Sequence, residues 1–241
     1  MRTFGLIGKS LSHSFSPSYF SNKFDKEQIT DARYELFELE SIDQLPSLLA
    51  ERPDITGLNV TIPFKSEVIP FMDILSEEAE AVGAVNTLDL RSGVIVGHNT
   101  DIVGFRESLI RHLPNGSPSR ALILGDGGAS RAVTYVLRKL EIPYQLITRK
   151  GELRYSDLTE DMVKTHPLII NTTPVGMFPF ENDAPDLPYQ AIGQNHVLYD
   201  LIYNPEETRF LKNGRLRGAL TMNGMEMLQL QAEAAWKIWN S

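Results

Sequence analysis

Residues 121–130 have the sequence Ala-Leu-Ile-Leu-Gly-Asp-Gly-Gly-Ala-Ser, and they indicate the fold of the downstream half of the chain. The apolar run at 121–124 is typical of a buried strand. Glycines follow, and then apolar residues recur at three- and four-residue spacing over 129–140, which predicts an amphipathic helix. Strands that alternate with long crossovers form a parallel sheet with right-handed connections, so we expect a doubly wound α/β domain. Its further strands are predicted at 144–147, 168–170 and 197–199.

The glycine loop between this strand and helix predicts a dinucleotide site. Gly125 allows a tight turn, and Gly127 and Gly128 let a pyrophosphate approach the backbone at the N-terminus of a helix, where unpaired N–H groups favour anions. Ser130 is small enough for close packing of the helix on the strand. Asp126 conflicts with this interpretation, because a carboxylate repels a pyrophosphate unless it points away while its N–H donates.

The residues after the second strand of this domain, predicted at 144–147, distinguish an NAD site from an NADP site. An acidic residue there would bond the ribose hydroxyls of NAD. The chain has Thr148, Arg149 and Lys150 instead. Because the planar guanidinium of arginine matches a phosphate, we expect NADP. The alternative is an ordinary basic loop.

The first hundred residues also alternate strands with helices, which predicts a second α/β layer. A cluster of helix breakers at 114–119 is the best candidate for a linker. The final stretch at 225–239 is rich in Met, Ala and Trp and predicts a helix. The predicted strands are 4–7, 34–39, 55–60, 84–88 and 94–98, and the predicted helices include one that starts near Pro17 and others at 41–49 and 76–82.

Lys65 stands out within this upstream part. Pro63 suits the first turn of a helix after the strand at 55–60, which would place Lys65 at a helix N-terminus. A lysine is electrostatically unfavourable there, which marks it as a functional candidate. The alternative for Lys65 is a solvated surface lysine. The alternative for Asp101 is a helix N-cap. Together, Lys65 and Asp101 can relay a proton to an alcohol or ketone, and a nicotinamide hydride donor then implies alcohol–carbonyl interconversion.

Composition excludes several classes of protein. The 241 residues carry a net charge of −8, which argues against a nucleic-acid partner. There is no cysteine, which excludes disulfides and thiolate chemistry, and the five histidines show no metal-ligand spacing, so we expect no metal. No membrane-spanning run and no signal-peptide core are seen, and we expect a cytoplasmic protein with a small-molecule substrate and no membrane partner.

Short motifs along the whole chain jointly resemble one family, the shikimate dehydrogenases. They occur in the family's order, from the first strand to the last helix, and their joint occurrence is highly specific. The motifs are Ser14-x-Ser16-Pro17, Asn59-Val60-Thr61-x-Pro63-Phe64-Lys65, Gly83-Ala84-Val85-Asn86-Thr87, Asn99-Thr100-Asp101, Gly125-x-Gly127-Gly128-Ala129, Asn171-x-Thr173-Pro174-x-Gly176-Met177 and Gly224-x-x-Met227-Leu228-x-x-Gln231.

The resemblance implies NADPH-dependent reduction of 3-dehydroshikimate to shikimate, in aromatic amino acid biosynthesis. Lys65 then resembles the catalytic acid/base and Asp101 its partner, and both also contact the substrate. The other positions similar to the substrate-binding set are Ser14, Ser16, Thr61, Asn86, Tyr203 and Gln231. The positions similar to the cofactor segments are Gly125, Asp126, Gly127, Gly128, Ala129, Thr148, Arg149, Lys150 and Thr172, with Leu201 and Gly224 at the nicotinamide end.

The resemblance also implies two domains. Residues 1–103 with 219–241 would bind the substrate, the last helix returning to this domain, and residues 104–218 would form a Rossmann-like NADP-binding domain. The chain departs from the family at Asp126, where alanine is usual, and at Thr148 and Lys150, where asparagine and threonine are usual; Arg154 is a candidate for a further basic residue. The alternatives are a quinate/shikimate dehydrogenase with mixed NAD and NADP use, and a dinucleotide-binding regulatory module without turnover. A monomer and a homodimer are equally compatible with the sequence.

Overall fold

The computed structural model of the chain describes residues 1–12, 14–113 and 118–241. The described residues form two compact units, Met1–Val103 with Gln231–Ser241, and Gly104–Leu230. The linker predicted at 114–119 falls largely outside the described residues. Eight α-helices are described: α1 (Ser16–Lys26), α2 (Leu45–Glu51), α3 (Glu77–Val82), α4 (Asp101–His112), α5 (Gly128–Lys139), α6 (Glu160–Thr165), α7 (Arg209–Arg215) and α8 (Met225–Asn240).

The first unit is built on a six-stranded sheet with the order β2-β1-β3-β5-β6-β4. Only β5 runs antiparallel to its neighbours, β3 and β6, and the other pairs are parallel. The predicted α/β layer is therefore confirmed. The strands are β1 (Arg2–Gly8), β2 (Ala32–Glu38), β3 (Ile55–Val60), β4 (Ile74–Leu75), β5 (Thr87–Asp89) and β6 (Val96–His98).

The second unit contains a five-stranded sheet in which every pair is parallel. Its order is β11-β10-β9-β7-β8, so the chain moves from β7 to β8 on one side and then to β9 on the other. Ligands of such sheets bind at the carboxyl ends of the strands where the direction changes, here between β7 and β9. The predicted doubly wound sheet is confirmed. The strands are β7 (Ala121–Leu124), β8 (Tyr144–Ile147), β9 (Leu168–Asn171), β10 (Val197–Asp200) and β11 (Leu220–Met222).

The C-terminal helix is divided between the two units. Residues 231–241 cluster with the first unit, and α4 is divided in the same way between Val103 and Gly104. The boundary expected at residue 219 differs from this division, since residues 219–230 cluster with the second unit. The reason is that β11 pairs with β10 and extends the second sheet, a strand the sequence did not predict.

The segment around Lys65 is not the α-helix that the sequence predicts. Residues 62–68 form hydrogen-bonded turns, and a 3₁₀ helix follows at Ile69–Phe71. The carbonyl of Lys65 accepts a hydrogen bond from the N–H of Val85 at 2.7 Å and so leaves the ladder of an α-helix. Phe64 and Val68 are buried in the core of the unit, and this packing overrides the local helix signal. Among the described residues, no helix combines the length and the apolar character that spanning a bilayer requires.

Candidate active site

An ion pair joins the two residues that the sequence singled out in the first unit. The Nζ atom of Lys65 donates to Oδ2 of Asp101 at 2.8 Å. The Lys65 side chain is 21% exposed and that of Asp101 is 10% exposed, so the pair is largely shielded but reachable. Asp101 is the first residue of α4, where the helix dipole stabilises a carboxylate. The pair is therefore a fixed carboxylate that holds an accessible ammonium group.

Buried hydrogen bonds hold the backbone just before Asp101. The Oδ1 atom of Asn86 accepts from the N–H of Thr100 at 2.7 Å and from the Thr87 hydroxyl at 3.1 Å. The hydroxyl of Thr100 also donates to Oε1 of Gln231 at 3.3 Å. The structure thus brings Asn86 and Gln231, which are far apart in sequence, to the N-terminus of α4.

A second group of polar side chains extends from Ser16 to the same place. The helix α1 begins at Ser16, and its N-cap position makes no side-chain hydrogen bond. Burial raises the pKa of the Tyr34 hydroxyl and the nearby Ser16 side chain lowers it. The same hydroxyl donates to Oδ1 of Asn59 at 2.8 Å. The Nδ2 atom of Asn59 reaches the carbonyl of Asn86 at 3.3 Å and the hydroxyl of Thr87 at 3.2 Å. The sequence did not single out Tyr34, Thr87 or the Asn59 side chain, because their partners lie elsewhere in the chain.

The remaining substrate candidates lie in different surroundings. Ser14 is half-buried and its N–H donates to the carbonyl of Leu11 at 2.9 Å. Thr61 follows β3, and its N–H donates to the carbonyl of Ile7 at 3.0 Å. Tyr203 belongs to the second unit, where it is half-buried and lines a cavity of about 870 Å³, and burial raises the pKa of its hydroxyl.

The glycine loop of the second unit has the backbone that a phosphate site needs. Gly125 has φ +101°, and a Cβ there would lie 2.7 Å from Cγ2 of Thr173, so only glycine fits. Gly127 is the N-cap residue of α5 and supplies no side-chain cap. A Cβ at Gly127 or Gly128 would meet nothing within 4 Å, so the helix N-terminus is uncovered. Open space over unpaired N–H groups fits an anionic dinucleotide.

A cavity of about 380 Å³ opens beside this loop, at the switch point of the sheet. Thr172 donates from its hydroxyl to the carbonyl of Leu124 at 2.7 Å and so joins β9 to β7 at the cavity floor. Of the basic loop, Thr148 and Arg149 line the cavity, whereas Lys150 is exposed and is not among the lining residues. The lining residues are Gly125, Asp126, Gly127, Thr148, Arg149, Tyr155, Thr172, Thr173, Pro174, Val175, Ala184 and Pro185.

Tyr155 is a cavity residue that the sequence analysis missed. Burial raises the pKa of its hydroxyl, while the nearby charge of Arg149 lowers it and that of Asp126 raises it. Tyr155 lies in the 3₁₀ turn Tyr155–Asp157, which has neither helical nor strand periodicity, so no local sequence pattern marks it.

Ala129 is half-buried in α5 and does not line the cavity. Leu201 and Gly224 do meet, since a Cβ on Gly224 would lie 2.1 Å from the Leu201 carbonyl oxygen.

A fully buried carboxylate lies at the end of β10, directly before Leu201. Asp200 accepts hydrogen bonds from the hydroxyl of Thr208 at 2.6 Å, from Nδ2 of Asn171 at 3.0 Å and from the N–H of Ile202 at 3.1 Å. Asn171 in turn accepts from the N–H of Thr173, at the edge of the cavity, at 3.0 Å. Burial outweighs these bonds and raises the pKa of Asp200 to about 6 from its ordinary 3.8. The group therefore titrates in mildly acidic solution and connects three segments around the cavity.

Asp200→Asn predicts a distinctive pH dependence of stability. Between pH 3.8 and about 6 the folded protein holds a proton that the unfolded chain has lost, so this group lowers the free energy of unfolding as the pH rises. The free energy of unfolding of the parent minus that of Asp200→Asn is expected to fall by about 2 kcal/mol from pH 4 to pH 6 and to level off near pH 7. Urea denaturation at several pH values measures it, and the subtraction cancels the other titrating groups. A difference that does not change with pH would contradict the prediction.

The sequence and the fold of the chain are similar to those of known proteins. A family model described as the shikimate dehydrogenase substrate binding domain matches residues 6–88. The curated shikimate dehydrogenase (NADP(+)) of Pelagibacter ubique is 38% identical over an alignment of 251 positions. The alignment covers 99% of this chain and 93% of the relative.

Solved structures are similar over the same length. The crystal structure of shikimate 5-dehydrogenase from Thermus thermophilus, in complex with NADP(H) and shikimate, is 30% identical with a TM-score of 0.87, covering 99% of this chain and 93% of that chain. A quinate dehydrogenase from Corynebacterium glutamicum in complex with NAD is 27% identical with a TM-score of 0.89, also covering 99% and 93%. Because the similarity to curated relatives extends over nearly the whole sequence, the chain belongs to the shikimate dehydrogenase family.

Proposed function

We propose that the chain catalyses the reversible, NADPH-dependent reduction of 3-dehydroshikimate to shikimate. The observation that carries the proposal is the shielded ion pair between Lys65 and Asp101, with 2.8 Å between Nζ and Oδ2. The glycine loop and Arg149 would hold the dinucleotide, which would supply a hydride to the carbonyl carbon of the substrate. The ammonium group of Lys65 supplies the proton to the carbonyl oxygen, and in the reverse direction the neutral amine takes it from the hydroxyl.

Asp101 is the positioning partner in this proposal. Its carboxylate is held at the N-terminus of α4, where the helix dipole stabilises its charge, and the backbone just before it is fixed through Thr100. The hydrogen bond from Lys65 to this carboxylate restricts the rotamers of the lysine side chain. Its ammonium group is therefore directed at a single oxygen atom of the substrate. Such orientation contributes to rate because the reacting groups need not be ordered in the transition state.

The polar side chains of the first unit suit a polyhydroxylated acid. Ser14, Ser16 and Thr61 supply hydroxyls, and Asn86 and Gln231 supply amides, which match the hydroxyls and the carboxylate of shikimate. Asn86 and Gln231 are held by the bonds to Thr100, so their orientation is set before a ligand binds. We infer that this network selects the substrate by hydrogen bonding, which discriminates strongly between hydroxylated analogues.

One assay tests the reaction, the substrate and the cofactor together. The purified protein is given shikimate or quinate with NADP or NAD, and the reduced nicotinamide is followed by its absorbance. We expect the highest kcat/KM with shikimate and NADP. Comparable rates with quinate would favour the broader quinate/shikimate enzyme, as the likeness to the quinate dehydrogenase suggests. Absence of turnover with all four combinations would contradict the proposed function.

Arg149→Ala is expected to affect NADP far more than NAD. Arg149 lines the cavity beside the glycine loop and forms no ion pair with any other described residue, so its guanidinium is available for the 2′-phosphate. Loss of a hydrogen-bonded charge pair of this kind costs about 1.5–3 kcal/mol, so the KM for NADP should rise roughly 10- to 100-fold. The KM for NAD should change less than about threefold, since NAD has no phosphate at this position.

Arg120→Ala is the matched control for this measurement. Arg120 is an exposed arginine directly before β7, at the end of that strand away from the glycine loop, and it does not line the cavity. Its removal should leave the ratio of the two KM values close to that of the parent. An unchanged ratio in Arg149→Ala would remove Arg149 from the phosphate site.

A further inference from the structure

We propose that Asp126 sets how strongly this chain prefers NADP over NAD, by placing a carboxylate in the same cavity as the phosphate-binding Arg149. The inference rests on the proposed function, because it concerns the cofactor of that reaction. In a family of NADP enzymes, the expected consequence is a weakened preference for the phosphorylated cofactor, with measurable use of NAD.

The charges of Asp126 and Arg149 act on the same cavity. Asp126 and Arg149 both line the cavity of about 380 Å³ at the switch point of the second sheet. The hydroxyl of Tyr155, in the wall of the same cavity, is within electrostatic range of both. A phosphate held by Arg149 in this cavity is therefore also exposed to the negative charge of Asp126.

The effect of this carboxylate differs between the two cofactors. A phosphate monoester carries about −1.5 to −2 charges at neutral pH, so the 2′-phosphate of NADP is repelled. The ribose of NAD has a neutral hydroxyl at this position, and that hydroxyl can donate a hydrogen bond to a carboxylate. Both effects shift the preference towards NAD. The pyrophosphate, common to both cofactors, would be repelled equally in each and cannot change their ratio.

The position of Asp126 keeps the carboxylate in place without burying it. It lies between Gly125, whose positive φ turns the chain, and Gly127, the N-cap residue of α5. The N-terminus of α5 stabilises a negative charge, whether it belongs to Asp126 or to a bound phosphate. Because Asp126 is exposed, its replacement by asparagine changes the charge with little effect on folding.

Binding of two cofactor fragments to Asp126→Asn tests the inference. Adenosine 2′,5′-bisphosphate carries the phosphate that distinguishes NADP, and AMP lacks it. By calorimetric titration at low salt, Asp126→Asn should bind the bisphosphate roughly 3- to 10-fold more tightly than the parent does, as expected for charges several ångströms apart near a protein surface. AMP should change less than about twofold, and the gain for the bisphosphate should shrink in high salt. The ratio of kcat/KM for NADP to that for NAD should rise by a similar factor.

Glu152→Gln is the matched control. It removes one negative charge from the neighbouring loop, and Glu152 is exposed and does not line the cavity. It should leave both dissociation constants nearly unchanged. An equal gain for the bisphosphate and AMP in Asp126→Asn would place the repulsion at the shared 5′-phosphate and overturn the proposal, as would no gain for either. These binding measurements need no turnover, so failure of the proposed reaction would appear separately, as inactivity of the parent with shikimate.

Discussion

Lys65→Ala is expected to lower kcat for shikimate oxidation by about 10²- to 10⁴-fold, the range found when a general acid or base is removed. Alanine cannot take the proton from the hydroxyl, and it leaves Asp101 without the ammonium group that now lies 2.8 Å away. The dissociation constant for NADP should stay within about twofold of the parent value, since Lys65 does not line the cavity beside the glycine loop. Steady-state kinetics and a direct cofactor titration measure the two effects.

Two further variants show whether the loss comes from proton transfer. Lys26→Ala removes an equal charge from the exposed end of α1 and should leave kcat unchanged. Asp101→Asn keeps the size of the side chain but removes the charge opposite Lys65, and it should also lower kcat. If Lys65→Ala turned over at the rate of the parent, Lys65 would have no part in proton transfer and the proposed mechanism would be lost.

Trp239→Ala is expected to cause the largest loss of stability, about 3–5 kcal/mol, as for other buried large aromatic side chains. Trp239 is 1% exposed and its ring stacks on Phe4 with 4.8 Å between centroids. Its Nε1 donates to the carbonyl of Leu88 at 2.9 Å, and Gly57 provides the room, since a Cβ there would lie 2.3 Å from Nε1. The free energy of unfolding from urea denaturation, followed by circular dichroism, measures the loss.

Two other changes in the same helix separate the sources of this stability. Trp239→Phe keeps most of the buried ring but leaves the Leu88 carbonyl without this donor, so a smaller loss of about 1–3 kcal/mol is expected. Lys237→Ala alters an exposed position of α8 and should stay within about 0.5 kcal/mol of the parent. If Trp239→Ala lost no more than Lys237→Ala does, the last helix would not be part of the core of the first unit.

The predictions from sequence succeeded where the signal is local. The glycine loop was predicted because its glycines follow an apolar strand and precede an amphipathic helix, and the structure has β7, the loop and α5 at these places. The strand Ile55–Val60 was predicted to the residue. The helix at Lys65 was wrong, because Pro63 and the apolar pattern favour a helix whereas the bond from Val85 and the burial of Phe64 come from distant parts of the chain.

Residues 121–130, together with the apolar strands that follow them, determined the doubly wound sheet and the position of its glycine loop, since glycine geometry and apolar periodicity depend on near neighbours. The sequence also singled out Lys65, as a cation predicted at a helix N-terminus, and Asp101, as the residue that could form a proton relay with it. Only the tertiary structure decided that the two side chains form an ion pair and that Thr100 joins Asn86 to Gln231. It also decided that Asp126 and Arg149 line one cavity. The physical reason is that side-chain hydrogen bonds and charge pairs join residues far apart in the chain, so no local pattern encodes them.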